Sequence, residues 1–281
     1  MPRAASPDAG RTLAVKLLLL TDLHLTAKGE RIIGLGPWER FEAVLDRALL
    51  DHADAAALAI LGDLAHRGEP EVYARLARRL ASLPIPLIPM LGNHERRAAF
   101  QAAFPEAATT PEGHVQAVLD TPHVRAIALD TLDGPPHVEG RHAGRLCEAR
   151  TRWLDRALET RGGRMPLVLT HHPHVPVGFP GMDAIRLADG DELLRRLAPH
   201  GAHLVFGHIH RTISGSALGV PFTSLKSTCH QMPMDMADGR TTLSVDEPGA
   251  YGLALLGPGQ VTVHTEDVAA RPPAAEDPGS A

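Results

Sequence analysis

Short apolar runs alternate with stretches of helical periodicity in the first third of the chain. The runs at residues 16–21, 56–61 and 85–91 have the length of strands, and each is followed by a segment that contains polar residues or glycine. Between them, apolar residues recur at helical spacing, which predicts one helix that begins near Pro37 and another over about 69–82. This alternation of strand and helix is typical of a doubly wound α/β sheet with parallel strands.

Further strands and helices are predicted in the rest of the chain. Strands are expected at residues 115–119, 124–129, 166–170 and 203–206, and helices at about 98–104, 153–158 and 191–198. After residue 210 the expected strands are short, and they lie at 213–217, 221–224, 241–245, 252–256 and 261–264. Because no long helix separates these late strands, we expect them to form a second, more antiparallel sheet packed on the first.

The two ends of the chain differ in composition from the region between them. Residues 1–12 and 269–281 are rich in Ala, Pro and charged residues, and we expect both to be disordered. Residues 13–268 contain no internal repeat and no linker, so we expect one domain there. The apolar run that begins at residue 15 is too short for a signal peptide and is not followed by a cleavage site.

The composition restricts the classes of function. The chain has 281 residues, of which 44% are hydrophobic, which suffices for one large domain with a substantial core. A formal net charge of −5 provides no basic field for extended nucleic acid or an anionic membrane. No apolar run approaches the roughly 20 residues of a membrane span. The 2 cysteines imply no disulfide framework, which fits a cytoplasmic protein, and a homo-oligomer is left open.

Histidine is unusually frequent, with 17 residues, and several histidines lie with Asp and Asn at the ends of predicted strands. These positions are Asp22, His24, Asp63, Asn93, His171, His208 and His210. In open α/β sheets, ligands bind at the carboxyl ends of the strands. Period-2 alternation predicts that Asp22 and His24 lie on the same side of their strand. Gly92 allows the sharp turn from which Asn93 and His94 emerge.

Three oxygen donors and four imidazoles are too many ligands for one metal ion. They fit two adjacent divalent ions if Asp63, by its central position, bridges them. Two ions about 3.5–4 Å apart hold both the attacking and the leaving oxygen of a phosphoryl displacement, and a water between them is acidified to a hydroxide nucleophile. Mixed nitrogen and oxygen ligands favour Mn, Fe, Zn, Co or Ni over Mg or Ca.

Five short motifs follow one another along residues 17–210: Asp-x-His, Gly-Asp, Gly-Asn-His-Glu, His-His-Pro and Gly-His-x-His. Together they resemble the calcineurin-like metallophosphoesterase superfamily. Within it, residues 62–73 and the loop at 29–38 resemble class III cyclic nucleotide phosphodiesterases and the related glycerophosphodiesterases. The resemblance implies an α/β fold, a four-layer αββα sandwich of two mixed β-sheets flanked by helices.

The resemblance also implies a role for each residue of the site. One ion would be held by Asp22, His24, Asp63 and His210, and the other by Asp63, Asn93, His171 and His208. His94 would contact the phosphate and assist the leaving group as the catalytic residue, and His66 and Asn93 would be further substrate contacts. The implied enzyme is a metal-dependent phosphoric diester hydrolase. It would cut small phosphodiesters, 3′,5′-cyclic nucleotides or glycerophosphodiesters, by attack of a metal-bound hydroxide.

Several neighbouring histidines leave alternatives open. His66 lies three residues after the bridging carboxylate, where purple acid phosphatases carry Tyr, the glycerophosphodiesterases Asn and the cyclic-nucleotide branch Asp. A tyrosinate-bound ferric ion is therefore not expected, and the substrate stays open. His172 is interpreted as a residue that supports the ligands or is held by Pro173. Three others are interpreted as loop residues, with a place in the pocket as the alternative: His137, His142 and His230.

Three functions compete on these residues. The first is a cytoplasmic binuclear-metal phosphodiesterase, and the second is a phosphomonoesterase or nuclease of the same superfamily. A net charge of −5 and the lack of an appended domain disfavour a nuclease. The third is a scaffold without catalysis. Such members of the superfamily lose ligands, whereas this chain keeps the whole set together with His94.

Overall fold

The computed structural model of the protein describes residues 14–134, 141–237 and 239–268. The chain ends expected to be disordered, 1–12 and 269–281, and His137 lie outside the described residues. In chain order the strands are β1 (Val15–Leu20), β2 (Ala57–Ile60), β3 (Leu87–Pro89), β4 (Ala117–Asp120), β5 (Val124–Ala128), β6 (Met165–Thr170), β7 (His203–Phe206), β8 (Ile213–Ala217), β9 (Val220–Ser224), β10 (Gly249–Gly257) and β11 (Gln260–Val268). The helices are α1 (Pro37–Asp51), α2 (Pro70–Leu80), α3 (Arg97–Ala103), α4 (Glu148–Glu159), α5 (Pro180–Ala184) and α6 (Gly190–Leu197).

The strands form two mixed sheets. The first has the order β11-β10-β1-β2-β3, in which β1, β2 and β3 are parallel and β10 and β11 are antiparallel to their neighbours. The second has the order β4-β5-β6-β7-β9-β8, with a parallel centre from β5 to β9 and antiparallel edge strands β4 and β8. Both sheets therefore combine the βα crossovers predicted from the sequence with antiparallel edges.

Three apolar layers hold the sheets and helices together. On β1, Leu18 and Leu20 pack with residues of α1, α2 and α3 on the outer face of the first sheet. Leu17 and Leu19 face the other way and pack against residues of the second sheet, such as Leu167 on β6. The outer face of the second sheet packs on α4, α5 and α6. The order of layers is thus αββα, and the predicted fold class is confirmed.

The expected division of the strands between the two sheets is wrong. The strands after residue 210 do not form a sheet of their own: β8 and β9 extend the second sheet beside β7, whereas β10 and β11 extend the first beside β1. The cause is a long-range pairing, in which Val15 on β1 lies opposite Leu256 on β10. Without β10, the hydrogen-bonding edge of β1 would have no partner, and such a buried edge is unfavourable.

Two predicted strands are also corrected. The strand expected at 85–91 is only three residues long, since the prolines at 84, 86 and 89 have no N–H to donate, and it lies at the edge of its sheet. Residues 241–245 form no strand, and only Val245 makes an isolated bridge, to Gln231. None of the helices in the described part of the chain could span a membrane.

Candidate metal centre and active site

The structure brings the seven predicted ligand positions together where strands of the two sheets end. Asp22 and His24 follow β1, Asp63 follows β2, Asn93 follows β3, His171 follows β6, and His208 and His210 follow β7. Six of the seven are buried, and His210 is partly exposed. The candidate ligands therefore come from five strands of both sheets and meet at one place.

The first group of donors lies around His24. Its Nε2 is 3.0 Å from Nε2 of His210 and 3.6 Å from Oδ2 of Asp63. Nε2 of His210 is 3.2 Å from Oδ1 of Asp22. Because the Nδ1–H of His210 donates to the backbone carbonyl of His230 at 3.0 Å, its Nε2 carries a lone pair in the neutral ring. Lone pairs that face one another in this way are stabilised by a cation between them.

The second group lies around His171 and has the same character. Its Nε2 is 3.0 Å from Oδ1 of Asn93, 3.2 Å from Nδ1 of His208 and 3.4 Å from Oδ2 of Asp63. The Nδ1–H of His171 donates to the carbonyl of Leu61 at 2.8 Å, so Nε2 is the atom that faces these oxygen and nitrogen atoms, and in the neutral ring it carries the lone pair. Oδ2 of Asp63 thus belongs to both groups, and the donor set fits two divalent ions.

The pKa values of these side chains are strongly shifted, in a way that suits a bound cation. Burial favours the neutral form of Asp63, yet the imidazoles of His171 and His94 outweigh it and hold the pKa of Asp63 well below its usual value. Burial disfavours the charged form of His171, but Asp63 raises its pKa to about 9. Burial lowers the pKa of His24 and of His208 far enough to keep both neutral. A metal ligand must be a neutral imidazole, so a bound ion would take the place of the proton on His171.

Most of the candidate ligands have an unusual backbone conformation. Positive φ angles are found at Asp22 (53°), His24 (45°), Asp63 (52°), His208 (69°) and His210 (54°). Residues other than glycine rarely adopt this left-handed region, and such strain is typical of functional sites. The prediction that period-2 alternation places Asp22 and His24 on the same side of a strand is therefore wrong. The strand ends at Leu20, and left-handed turns, not period-2 alternation, direct these two side chains.

Two glycines let the loops after β2 and β3 touch. A Cβ atom on Gly62 would lie 2.5 Å from the backbone nitrogen of Gly92, and Gly62 has a φ of +99°. A Cβ atom on Gly92 would lie 2.2 Å from Oδ1 of Asp63. Only glycine fits such close backbone approaches, and they set the distance between Asp63 and Asn93.

Glu95 ties the same two loops together, a role that was not predicted from its place in the Gly-Asn-His-Glu motif. Its buried carboxylate accepts hydrogen bonds from the backbone N–H groups of Asp63 (2.9 Å), Leu64 (2.7 Å), Ala65 (3.3 Å) and Gly92 (2.5 Å). Burial, and then the charge of Asp63, raises the pKa of Glu95 to about 7. Glu95 therefore positions Asp63 through its backbone.

His94 lies beside the ligands and is held through one ring nitrogen. Its Nδ1–H donates to the carbonyl of His66 at 2.6 Å, and its Nε2 lies 3.9 Å from Oδ2 of Asp63. The rings of His94 and His66 are stacked, with centroids 5.4 Å apart and an angle of 18° between them. Nδ1 of His66 is 3.3 Å from Nδ1 of His24. His66 therefore contacts both the predicted catalytic residue and a predicted ligand.

A cavity of about 380 Å³ opens over the candidate ligands and His94. Two histidines that were interpreted as loop residues line it. His142 places its Nδ1 3.0 Å from Nδ2 of Asn93. His230 lies with its ring centroid 4.7 Å from that of His210, and burial, followed by His210, lowers its pKa to about 2. Neither histidine directly follows one of the strands that carry the candidate ligands. Their positions in the sequence were therefore only weak evidence that they belong to the site. A larger cavity of about 840 Å³ lies around Trp38, lined by none of these ligands.

His172 is placed as a support for its neighbours. Its ring is fully buried, and its Nε2–H donates to the carbonyl of His142 at 3.0 Å while Nδ1 accepts from the hydroxyl of Thr131 at 2.8 Å. Both ring nitrogens are therefore occupied. Burial, and then the charge of His171, lowers the pKa of His172 to about 3, so the ring is neutral.

Comparison with known protein families and sequences gives consistent matches. A family model described as calcineurin-like phosphoesterase matches residues 15–212, more than half of the chain. A probable cyclic nucleotide phosphodiesterase of Rhodopseudomonas palustris is 38% identical over 255 residues, which cover 89% of this chain and 91% of that protein. The 3′,5′-cyclic adenosine monophosphate phosphodiesterase of Escherichia coli is 30% identical over 267 residues, which cover 94% of this chain and 93% of that protein.

Solved structures share the fold at low sequence identity. The crystal structure of a dimetal phosphatase from Danio rerio has a TM-score of 0.68 and 16% identity, and the match covers 92% of this chain and 97% of that one. A purple acid phosphatase from yellow lupin has a TM-score of 0.64 and 14% identity, over 94% of this chain and 53% of that one. At these identities the likeness concerns the fold alone.

Proposed function

Because the chain belongs to the calcineurin-like phosphoesterase family, whose members include metal-dependent hydrolases, we propose that it hydrolyses 3′,5′-cyclic nucleotides at a pair of divalent ions. The observation that carries this proposal is the convergence of two groups of His and Asp or Asn donors on the one carboxylate of Asp63. The relatives named as cyclic nucleotide phosphodiesterases favour this substrate over the glycerophosphodiesters that the sequence left open.

The proposed ligand sets follow the two groups of donors. Asp22, His24, Asp63 and His210 would hold one ion, and Asp63, Asn93, His171 and His208 the other. The ions, when bound, would activate a water for attack and neutralise the charge of the phosphate. The mixed nitrogen and oxygen donors suit Mn, Fe, Zn or Co.

His94 is the proposed catalytic residue. The carbonyl of His66 fixes the Nδ1–H of His94, so Nε2 is the atom left to face the cavity beside Asp63. A protonated Nε2 there would donate to the departing 3′-oxygen of the ribose, which is a poor leaving group without a proton. The stacked ring of His66 would keep the His94 ring in that orientation.

The size and charge of the site agree with a small substrate. A cavity of about 380 Å³ is near the lower end of the range for small-molecule sites, about 300–1,000 Å³. The net charge of −5 gives no general attraction for a polynucleotide. These two observations favour a mononucleotide over a nucleic acid.

The test is a substrate panel. Protein stripped with a chelator is reloaded separately with Mn²⁺, Fe²⁺, Zn²⁺ and Co²⁺, and kcat/KM is measured on cyclic AMP, cyclic GMP, a glycerophosphodiester, bis-nitrophenyl phosphate and nitrophenyl phosphate. We expect the two cyclic nucleotides to give the highest kcat/KM among the natural substrates. A preference for the glycerophosphodiester or for the monoester would contradict the proposal. Asp63→Ala, purified in parallel, controls for contaminating hydrolases.

A further inference from the structure

His230 lies on a loop that is fixed to the candidate metal centre. The hydroxyl of Ser227 donates to the backbone carbonyl of Asp22 at 2.7 Å and accepts from the N–H of Cys229 at 2.9 Å. The side chain of Gln231 accepts from the N–H of Ser227 at 3.0 Å and donates to its carbonyl at 2.8 Å. These bonds hold the loop against the end of β1, so the position of His230 relative to Asp22 is defined.

The ring of His230 lies against two proposed ligands. Its centroid is 4.7 Å from that of His210 and 5.1 Å from that of His24. One nitrogen of each of these three rings lies within 4.8 Å of the other two. His230 is only 8% exposed, and its Nδ1 has no hydrogen-bond partner among the described residues. A buried ring nitrogen without a partner is unfavourable unless something binds there.

We propose that His230 is an additional protein ligand of the ion held by the first group, an inference that rests on the metal pair of the proposed function. Nitrogen atoms bound to one ion at about 2.0–2.1 Å each lie at most about 4.2 Å apart. A spacing within 4.8 Å therefore requires only a small adjustment of the side chains. The first ion would then have five protein ligands, three of them imidazoles: Asp22, His24, Asp63, His210 and His230.

His172 shows that closeness to the ligands does not by itself make a histidine a ligand. The ring of His172 lies about as close to the second group as the ring of His230 lies to the first. Its centroid is 5.0 Å from that of His171 and 4.9 Å from that of His208. Both of its nitrogens already have partners, the hydroxyl of Thr131 and the carbonyl of His142. Neither nitrogen of His172 is therefore free for an ion, whereas Nδ1 of His230 has no partner among the described residues. The two sites consequently differ, and the first is richer in nitrogen.

Metal binding without substrate tests the proposal. Chelator-treated wild type and His230→Phe, which keeps a ring without nitrogen, are titrated with Mn²⁺ by calorimetry, and the visible absorption of the Co²⁺-loaded forms is recorded. We expect one of the two ions to bind at least about 10-fold more weakly in the variant, and the Co²⁺ spectrum to change with the coordination number. His203→Phe is the matched control, because His203 lies on β7 with its Nε2 3.2 Å from the hydroxyl of Thr223. It should leave both affinities and the spectrum unchanged.

Two outcomes would overturn the inference. Affinities within twofold of wild type with an unchanged Co²⁺ spectrum would exclude His230 as a ligand. So would a loss of cyclic nucleotide turnover with unchanged metal binding, since His230 would then be a substrate contact. If His230→Phe does not fold, as judged by circular dichroism, His230→Ala replaces it. Because the calorimetry and the Co²⁺ spectrum are both measured without substrate, weakened metal binding supports the inference even if the substrate panel refutes the cyclic nucleotide activity.

Discussion

Gly92→Ala tests whether the close contact of two loops sets the position of Asp63. The new Cβ atom would lie 2.2 Å from Oδ1 and 2.5 Å from the backbone nitrogen of Asp63, and 2.7 Å from Cε1 of His171. The carboxylate oxygen can turn away only by breaking the hydrogen bond that it accepts from the N–H of His94 at 3.0 Å. The backbone nitrogen cannot, because the carboxylate of Glu95 holds it at 2.9 Å. The two loops must therefore move apart.

Overpacking of this kind costs typically about 1–3 kcal/mol of unfolding free energy. At about 2–4 °C per kcal/mol for a domain of comparable size, the melting temperature should fall by about 2–12 °C. The measurement is thermal unfolding of the metal-free protein, so that lost metal does not add to the effect. Metal affinity should fall as well, because Asp63 is the carboxylate proposed to be shared by both ions.

Gly257→Ala is the matched control. Gly257 ends β10, and a Cβ atom there would have no heavy atom within 4 Å. The substitution should therefore change the stability by no more than about 0.5 kcal/mol. Equal melting temperatures for the two metal-free variants would show that the contact at Gly92 is relieved without cost and does not set the position of Asp63.

Two further substitutions test the roles in the proposed site. His94→Ala should keep its metals and lose about 10²–10⁴-fold in kcat on alkyl diesters but far less on nitrophenyl diesters, whose nitrophenolate departs without a proton. Equal losses on both substrates would make His94 a residue that only positions the phosphate. Asp63→Ala should lose nearly all turnover while the metal-free protein keeps its circular dichroism spectrum, because Asp63 lies beyond the end of β2. A variant with wild-type turnover would contradict the role given to Asp63.

The positions of the candidate ligands were predictable because each follows a short apolar strand. Parallel strands in a βα pattern point their carboxyl ends to one edge, so strand ends alone group Asp22, Asp63 and Asn93. The path of the backbone at these residues was not predictable. Left-handed turns at Asp22, His24 and Asp63 depend on contacts between loops, such as the bond from the N–H of Asp22 to the carbonyl of Gly62 at 3.0 Å.

Contacts between distant parts of the chain explain what the sequence did not reveal. The pairing of β1 with β10 joins residues more than 200 positions apart, and hydrophobic periodicity carries no information about such partners. His230 reaches the site through hydrogen bonds of Ser227 to Asp22, and His142 through its contact with Asn93. These two histidines lie in irregular segments, where spacing alone does not distinguish a site residue from an ordinary loop residue.

The proposed binuclear phosphodiesterase is tested most directly by the turnover of a cyclic nucleotide as a function of the number of ions bound per chain. Metal-free protein is titrated with Mn²⁺, the bound metal is counted by plasma emission after removal of free ions, and hydrolysis of cyclic AMP is measured on the same samples. We predict that activity rises to its maximum only as the metal content approaches two ions per chain. Full activity at one ion per chain, or no hydrolysis at two, would contradict it.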